Sequence, residues 1–164
     1  MENTKKPYLL KKGRPNDILS DSITRIKNGY SRRFDQIYLS HSKETLQLVE
    51  ALLQGGYIQN YTCSGTPFSK ACNKGTISLE EPAMPTLSVS LKYSQSLPAI
   101  RGIQRLSKPN KRLYFSKKKI IQVSQEQNWG ENWTLFLSTS KGIIDHRQAL
   151  DSEGTGGEGL CLVW

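Results

Sequence analysis

The usual catalytic equipment is sparse in this chain. It has 2 histidines, His41 and His146, and neither stands in an H-E-x-x-H or comparable arrangement. Its 3 cysteines, Cys63, Cys72 and Cys161, are odd in number and show no C-x-x-C spacing, so reduced thiols are expected rather than a zinc site or a disulfide framework. No G-x-S-x-G elbow occurs. Asp145 and His146 are adjacent on an expected helix, where neighbours point about 100° apart and form no oriented dyad. Both histidines are expected to face solvent. Glu80-Glu81 reads as a solvated acidic pair, and "TSKG" inverts the P-loop order without its upstream glycine. These absences predict no enzyme, no cofactor, no metal and no small-molecule substrate.

Long apolar runs are missing too. None approaches the roughly 20 residues that cross a bilayer, so no membrane partner is expected. The opening "MENTKKPYLLKKGRPND" lacks a secretory core and carries Glu2 early, unlike a transit peptide. Apolar content is 36% and mean hydropathy -0.54, which leaves a modest core.

What the chain does have is positive charge. The 23 Lys+Arg outweigh 14 Asp+Glu, for a net +9. Such a balance favours polyanions, nucleic acid ahead of an acidic membrane.

Residues 1–16 read as a basic arm. "DILSDSITRIKNG" predicts a helix capped by Asp17, with Leu19, Ile23 and Ile26 on one face and Gly29 as its stop. "DQIYLS" predicts a strand. Ser42 caps a second helix bearing Leu46, Val49 and Leu53, stopped by Gly55-Gly56, and "YIQNY" returns to strand. Residues 62–85 are rich in Ser, Gly and Pro without a period, as in a long loop or insertion. "TLSVSLKY" alternates cleanly and predicts a strand, as do "NWTLFLS" and the closing "LCLVW"; "DHRQALDSE" predicts a short helix capped by Asp145. The class is α+β. An N-terminal α/β lobe at 17–94 carries two helices on a small sheet, and a β-rich lobe with a short helix fills 95–164.

Two stretches suit nucleic acid. "LSTSKG" places Ser138, Thr139 and Ser140 directly after a strand, with Lys141 and Gly142 behind them. Hydroxyls there can meet base edges or ribose 2′-OH groups while the lysine neutralises phosphate. "KPNKRLYFSKKK" is read as a turn feeding a strand. It interleaves Lys108, Lys111, Arg112 and Lys117–Lys119 with Tyr114 and Phe115, and Asn110 can take the left-handed conformation of a bend. A third stretch misleads. Gly154-Thr155-Gly156-Gly157-Glu158-Gly159 spells G-x-G-x-x-G, but a dinucleotide fold needs a helix after it, and "LCLVW" is strand-like.

In order and spacing, "DILSDSITRIKNGY", "SKPNKRLY" and "LSTSKGIIDHRQALDSEGTGGEGLCLVW" resemble family number eight of the small-subunit ribosomal proteins, from Asp17 to Trp164. That resemblance implies a protein that binds small-subunit ribosomal RNA in its central domain, beside neighbouring ribosomal proteins, and helps that domain assemble. A free RNA-binding translational regulator is the alternative. Carried over by motif, the RNA-facing residues are Ser138, Thr139, Ser140, Lys141, Gly142 and Glu158. Glu158 would accept from a base amino group or orient a loop hydroxyl, with Gly154, Gly156 and Gly157 turning the chain beside the serine loop. Lys108, Arg112 and Tyr114 would meet phosphates. Thr24, Arg25, Lys27 and Asn28 would make backbone contacts, with Lys43 a further candidate. Asn110 and Lys111 depart from the family's turn, predicting a shift there, and Gly159 replaces a bulky apolar residue, predicting altered packing. The arm, the 62–85 segment and the long "KKKIIQVSQEQNWGENW" connection suggest an organellar ribosome, most naturally mitochondrial, with the gene in the organelle; a bacterial or chloroplast ribosome is the alternative.

Overall fold

The computed structural model of the protein describes residues 16–64, 86–125, 133–151 and 156–164. The expected arm (but for its last residue), most of the 62–85 segment, Glu80-Glu81, Cys72 and Gly154 lie outside these. Contacts divide the chain into two compact units, residues 1–99 and 100–164.

In the first unit, helix α1 (Ile18–Arg32) begins where Asp17 accepts the Ser20 N–H at 3.0 Å, and it buries Leu19, Ile23, Ile26 and Tyr30. The expected stop at Gly29 is corrected. The helix runs through Gly29 and closes at Arg33, in the left-handed region at φ 55 and ψ 48. Arg33 and Phe34 then donate to the Tyr30 and Gly29 carbonyls at 3.1 and 3.0 Å. Gly29 is needed for packing: a Cβ there would sit 2.8 Å from Ile37 Cγ2 and 2.9 Å from Leu91 Cδ1.

Strand β1 (Gln36–Ser40) follows, then helix α2 (Lys43–Gln54), whose cap Ser42 accepts the Thr45 N–H at 3.0 Å. Strand β2 (Ile58–Ser64) absorbs Thr62, Cys63 and Ser64, which the loop-like composition had hidden. Strand β3 (Thr86–Leu91) lies between β1 and β2, antiparallel to both. Being central, it buries Thr86 and Ser88 as well as Leu87 and Val89. A small hairpin of β4 (Tyr93–Ser94) and β5 (Leu97–Pro98) completes the unit.

The second unit contains β6 (Ile103–Arg105), β7 (Tyr114–Phe115), α3 (Lys117–Gln125), β8 (Thr134–Thr139), β9 (Gly142–Asp145), α4 (His146–Asp151) and β10 (Gly157–Val163). Its sheet runs β6-β10-β8-β9, with β7 also paired to β10. Phe115, Ile120, Trp133, Leu135, Leu137, Ala149 and Leu162 form the core. Helix α3 was not legible as such, because lysines mask its spacing; Ile120 is buried and Val123 packs at the core's edge. At Gly159, a Cβ would lie 2.3 Å from Phe115 Cε2, so the Phe115 ring occupies the space a bulky residue would take.

The expectation of exposed histidines is corrected. His146 is only 5% exposed and His41 is half-buried. As the first residue of α4, His146 packs against β8: its Nδ1 accepts the Leu135 N–H at 3.2 Å, and its ring stacks on Trp133 at 4.4 Å between centroids. Burial lowers its pKa from the ordinary 6.5, with Asp145 opposing that shift and Arg147 reinforcing it.

Two predictions follow from this packing. Because folded His146 resists the proton that the unfolded chain accepts, its contribution to stability is full above about pH 6.5 and falls as pH drops through the lowered value. His146→Phe should flatten the difference in urea midpoint between pH 7.5 and 5.5; an unchanged slope in the variant would assign it to other groups. Gly159→Leu should cost about 1–3 kcal/mol by overpacking, and Phe115→Ala alone about 3–5 kcal/mol by cavity formation. The double variant should lose clearly less than their sum, as residues sharing one space do. Additive losses in urea unfolding followed by tryptophan fluorescence would show that the ring does not fill that space.

Candidate nucleic-acid interface

Strand β10 sets the candidate site. Glu158 stands directly opposite Tyr114 of β7 and Ser138 of β8. Directly opposed residues of antiparallel strands share a face, so Tyr114, Glu158 and Ser138 form one row. The neighbouring pairs, Gly157 with Phe115 and Gly159 with Leu137, belong to the opposite, core-facing set.

The glycines act differently from expectation. Gly156 and Gly157 do not take the positive φ that Gly56 and Gly142 adopt. A Cβ at Gly156 would lie 2.6 Å from the Phe115 carbonyl oxygen, and one at Gly157 2.5 Å from that of Ser138. They allow close approach of backbones rather than a turn, and this draws β7 and β8 up to β10 around Glu158.

Glu158 carries an ion pair. Its Oε2 lies 2.6 Å from Arg112 Nη1, with the Glu158 side chain 13% exposed and that of Arg112 57%. The carboxylate is thus taken up by Arg112, not by a hydroxyl of the serine loop. Arg112 reaches this position because the preceding turn is tightly closed. Lys108 and Lys111 exchange backbone hydrogen bonds at 2.9 and 3.0 Å around Pro109-Asn110. Asn110 is not among the residues with positive φ, so the turn takes it without left-handed backbone. Ser107 is fully buried, and its Oγ accepts the Leu113 N–H at 3.0 Å, closing the loop from below.

The serine loop divides its labour. Thr139 Oγ1 donates to the Gly142 carbonyl at 3.0 Å and accepts the Lys141 N–H at 3.2 Å, and Gly142 adopts φ 109. Thr139 and Gly142 build the turn. Ser140 and Lys141 stand exposed at its tip, with Ser138 half-buried at its base.

The structure therefore gathers Ser138, Ser140, Lys141, Glu158, Arg112 and Tyr114 on or beside one sheet, with Tyr114 66% exposed. Lys108 is exposed on the neighbouring turn. The remaining candidates sit in the first unit. Thr24 is exposed, its hydroxyl donating to the Ser20 carbonyl at 2.8 Å, and Arg25 Nε pairs with Asp21 at 2.6 Å, leaving its side chain 14% exposed. Lys27 is exposed, Asn28 half-buried, and Lys43 opens α2 in solvent.

Sequence reasoning missed Ser107 and the filling role of Phe115, since neither carries a signal at short range. It also left Lys117–Lys119 on a charged strand end, whereas they form the exposed start of α3, Lys119 Nζ lying 5.0 Å from the Phe115 ring centroid. Cys161, on β10, is fully buried and its thiol is pushed up to about 12, so it is inert as a nucleophile. Among the described residues, no cluster of three or more His, Cys, Asp or Glu could hold a metal.

Residues 17–164 match the family model of ribosomal protein S8. The chain is 34% identical over 150 residues to the small ribosomal subunit protein uS8 of Campylobacter hominis, covering 91% of this chain and 98% of that protein. It is 35% identical over 150 residues to the uS8 protein of Sulfurimonas denitrificans, with the same coverage. It is 33% identical over 148 residues to that of Mycoplasmopsis agalactiae, covering 90% of this chain and 97% of that protein. A match across the whole sheet-bearing chain, carrying both the serine loop and the glycine-flanked glutamate, establishes that this chain belongs to the ribosomal protein S8 family.

Proposed function

We infer that this chain is a structural constituent of the small ribosomal subunit that binds small-subunit ribosomal RNA. The family match from residue 17 to residue 164 carries the inference, and it favours a ribosomal constituent over a free regulator. The surface chemistry supports it. Ser138 and Ser140 offer hydroxyls that donate and accept, Tyr114 offers an exposed ring, and Arg112, Lys108 and Lys141 offer cations. An irregular RNA stem presents the complementary groups: phosphates, 2′-OH groups and unstacked bases. The net charge of +9 draws any RNA to the protein, while the fixed row across β7, β10 and β8 gives it a surface on which to select one.

We assign the RNA partner to the central domain of the small-subunit RNA, with Thr24, Lys27, Asn28 and Lys43 making backbone contacts from the first unit. We place the protein in an organellar ribosome, most naturally mitochondrial. This reading is supported by the 1–16 and 62–85 segments that the compact family pattern lacks.

Binding of the full chain to a central-domain stem, compared with a scrambled duplex across a salt series, tests the function. A preference of about a thousandfold that persists as salt rises is expected. Ser140→Ala should weaken the cognate complex by about 1–3 kcal/mol and leave the scrambled duplex nearly unchanged. Lys118→Ala should weaken both equally and flatten the salt slope. Equal binding of both RNAs by the native protein, collapsing with salt, would reduce the surface to a simple polycation. For the compartment, the chain should co-sediment with small subunits from purified mitochondria; its recovery only with other ribosomes would overturn that placement.

A further inference from the structure

We propose a second RNA contact just past the end of β10, where Trp164, Gln104 and Arg101 take one unpaired nucleotide. Its base stacks on the indole, its edge meets the Gln104 amide and its phosphate meets the Arg101 guanidinium. This goes beyond the reading above, because the ligand is a single strand and no residue is shared with the row of Tyr114, Glu158 and Ser138.

Three observations lead there. First, Trp164 is exposed yet held. It is 42% exposed, while three backbone hydrogen bonds fix its root. Its N–H donates to the Gly102 carbonyl at 3.0 Å, and its main-chain oxygen accepts the Gly102 and Arg101 N–H groups at 2.8 and 2.7 Å. Second, one side of the ring is accounted for. A Cβ at Gly102 would overlap the indole and stand 2.8 Å from its Nε1, so the ring covers a glycine beside the edge strand β6. That packing gives no reason for the ring surface left in water. Third, the neighbouring groups suit a nucleotide. Gly102 and Trp164 exchange hydrogen bonds, and Gln104 stands opposite Leu162 two positions along, so Gln104 and Trp164 share a face. Gln104 and Arg101 are both exposed. Residues 99–106 and 159–164 include Arg101 and Arg105 and no aspartate or glutamate.

A stacking platform works when the ring is already in place as the base arrives, and backbone pairing with Gly102 supplies that order. Every base has a π-face, so such a contact tolerates sequence, and a cation beside the ring adds attraction for phosphate. The glutamine amide offers both a donor and an acceptor to the base edge. A protein partner would bury the ring inside a rim that excludes water. The exposed neighbours here are a cation and an amide, which favours a phosphodiester chain. Along the extended strand this place lies roughly 20 Å from Glu158. It is also on the other face of the sheet, since Trp164 follows the parity of Leu162 in the core.

The test titrates the full chain with an oligouridylate of about ten nucleotides and with a fully paired duplex, across a salt series, reading affinity and tryptophan emission. Trp164→Leu should weaken the oligouridylate about tenfold and leave the duplex nearly unchanged, and Trp164→Phe should recover most of that loss. Arg101→Gln should flatten the salt slope for the oligouridylate by about 0.7. The oligouridylate should quench emission of the native chain but not of Trp164→Phe, because Trp133 is buried and stacked on His146. A ring that merely covers Gly102 predicts no quenching. Unchanged oligouridylate affinity in Trp164→Leu would leave the ring to a protein neighbour, and quenching that persists in Trp164→Phe would assign it to another tryptophan; either overturns the proposal. Should Trp164→Leu lower the thermal midpoint, quenching in Trp164→Phe and the salt slope of Arg101→Gln decide. A native protein that prefers the cognate stem, yet binds the oligouridylate without using the ring, overturns this inference alone. Ring-dependent binding in a protein that does not prefer the stem overturns the reading above and leaves this site standing.

Discussion

The close approach of three strands at β10 is the constraint on which the second unit depends. Strand β10 pairs with β6, β7 and β8, so its backbone groups are committed on both sides along much of its length. Two carbonyls, those of Phe115 and Ser138, come within 2.6 and 2.5 Å of where side chains at Gly156 and Gly157 would begin. Any Cβ at those positions would push β7 or β8 away and separate Tyr114 and Ser138 from Glu158. The glycines therefore act through the space they leave and not through unusual dihedral angles. The register shifts between Gly159 and Cys161, and Leu160, Cys161, Leu162 and Val163 beyond Gly159 are all buried.

Electrostatics decides what such a row can do. A carboxylate facing a polyanion is unfavourable, and a carboxylate largely withdrawn from water is unfavourable again unless it is paired. The Arg112 pair answers both demands. The pair is not a large source of stability, since a partner that is 57% exposed is well screened. The same reasoning separates Thr139 from Ser140. The Thr139 hydroxyl is consumed inside its own turn, which leaves the tip residues free to meet a ligand.

Legibility in the sequence followed how local the cause was. The Asp17 and Ser42 caps and the burial of Leu19, Ile23 and Ile26 depend on neighbours within a turn, and all were readable. The end of α1 was not, because Gly29 answers to Ile37 and Leu91, which are distant in sequence, while Arg33 adopts the left-handed cap usually left to glycine. Helix α3 was hidden by its three lysines, since its apolar stripe is narrow and only Ile120 is fully buried. His146 looked exposed for a similar reason. Its partners Leu135 and Trp133 belong to a strand and its lead-in, 11 and 13 positions earlier, and no local period announces them. The serine loop was readable from its own hydroxyls and lysine after a strand, whereas Glu158 was readable only through family resemblance. Spacing alone offered a cofactor motif there, and the strand that follows the glycines removes that reading.

Charge and shape therefore enter at different levels of this protein. The net +9 is spread over both units and needs no fold to act, so it sets an affinity that falls with salt and is blind to sequence. Selection requires groups whose positions do not adjust to the ligand. Those are found where backbone pairing fixes the root of each side chain: Ser138 on β8, Glu158 on β10 and Tyr114 on β7. Each belongs to a different segment of the chain, and only the close passage of β7 and β8 along β10 unites them. A substitution at Gly156 or Gly157 would leave every candidate residue in place along the chain and still separate them in space. For the proposed interface, selectivity is in this sense a property of the packing beneath the surface, and the glycines that look least chemical in the sequence bear on it most directly.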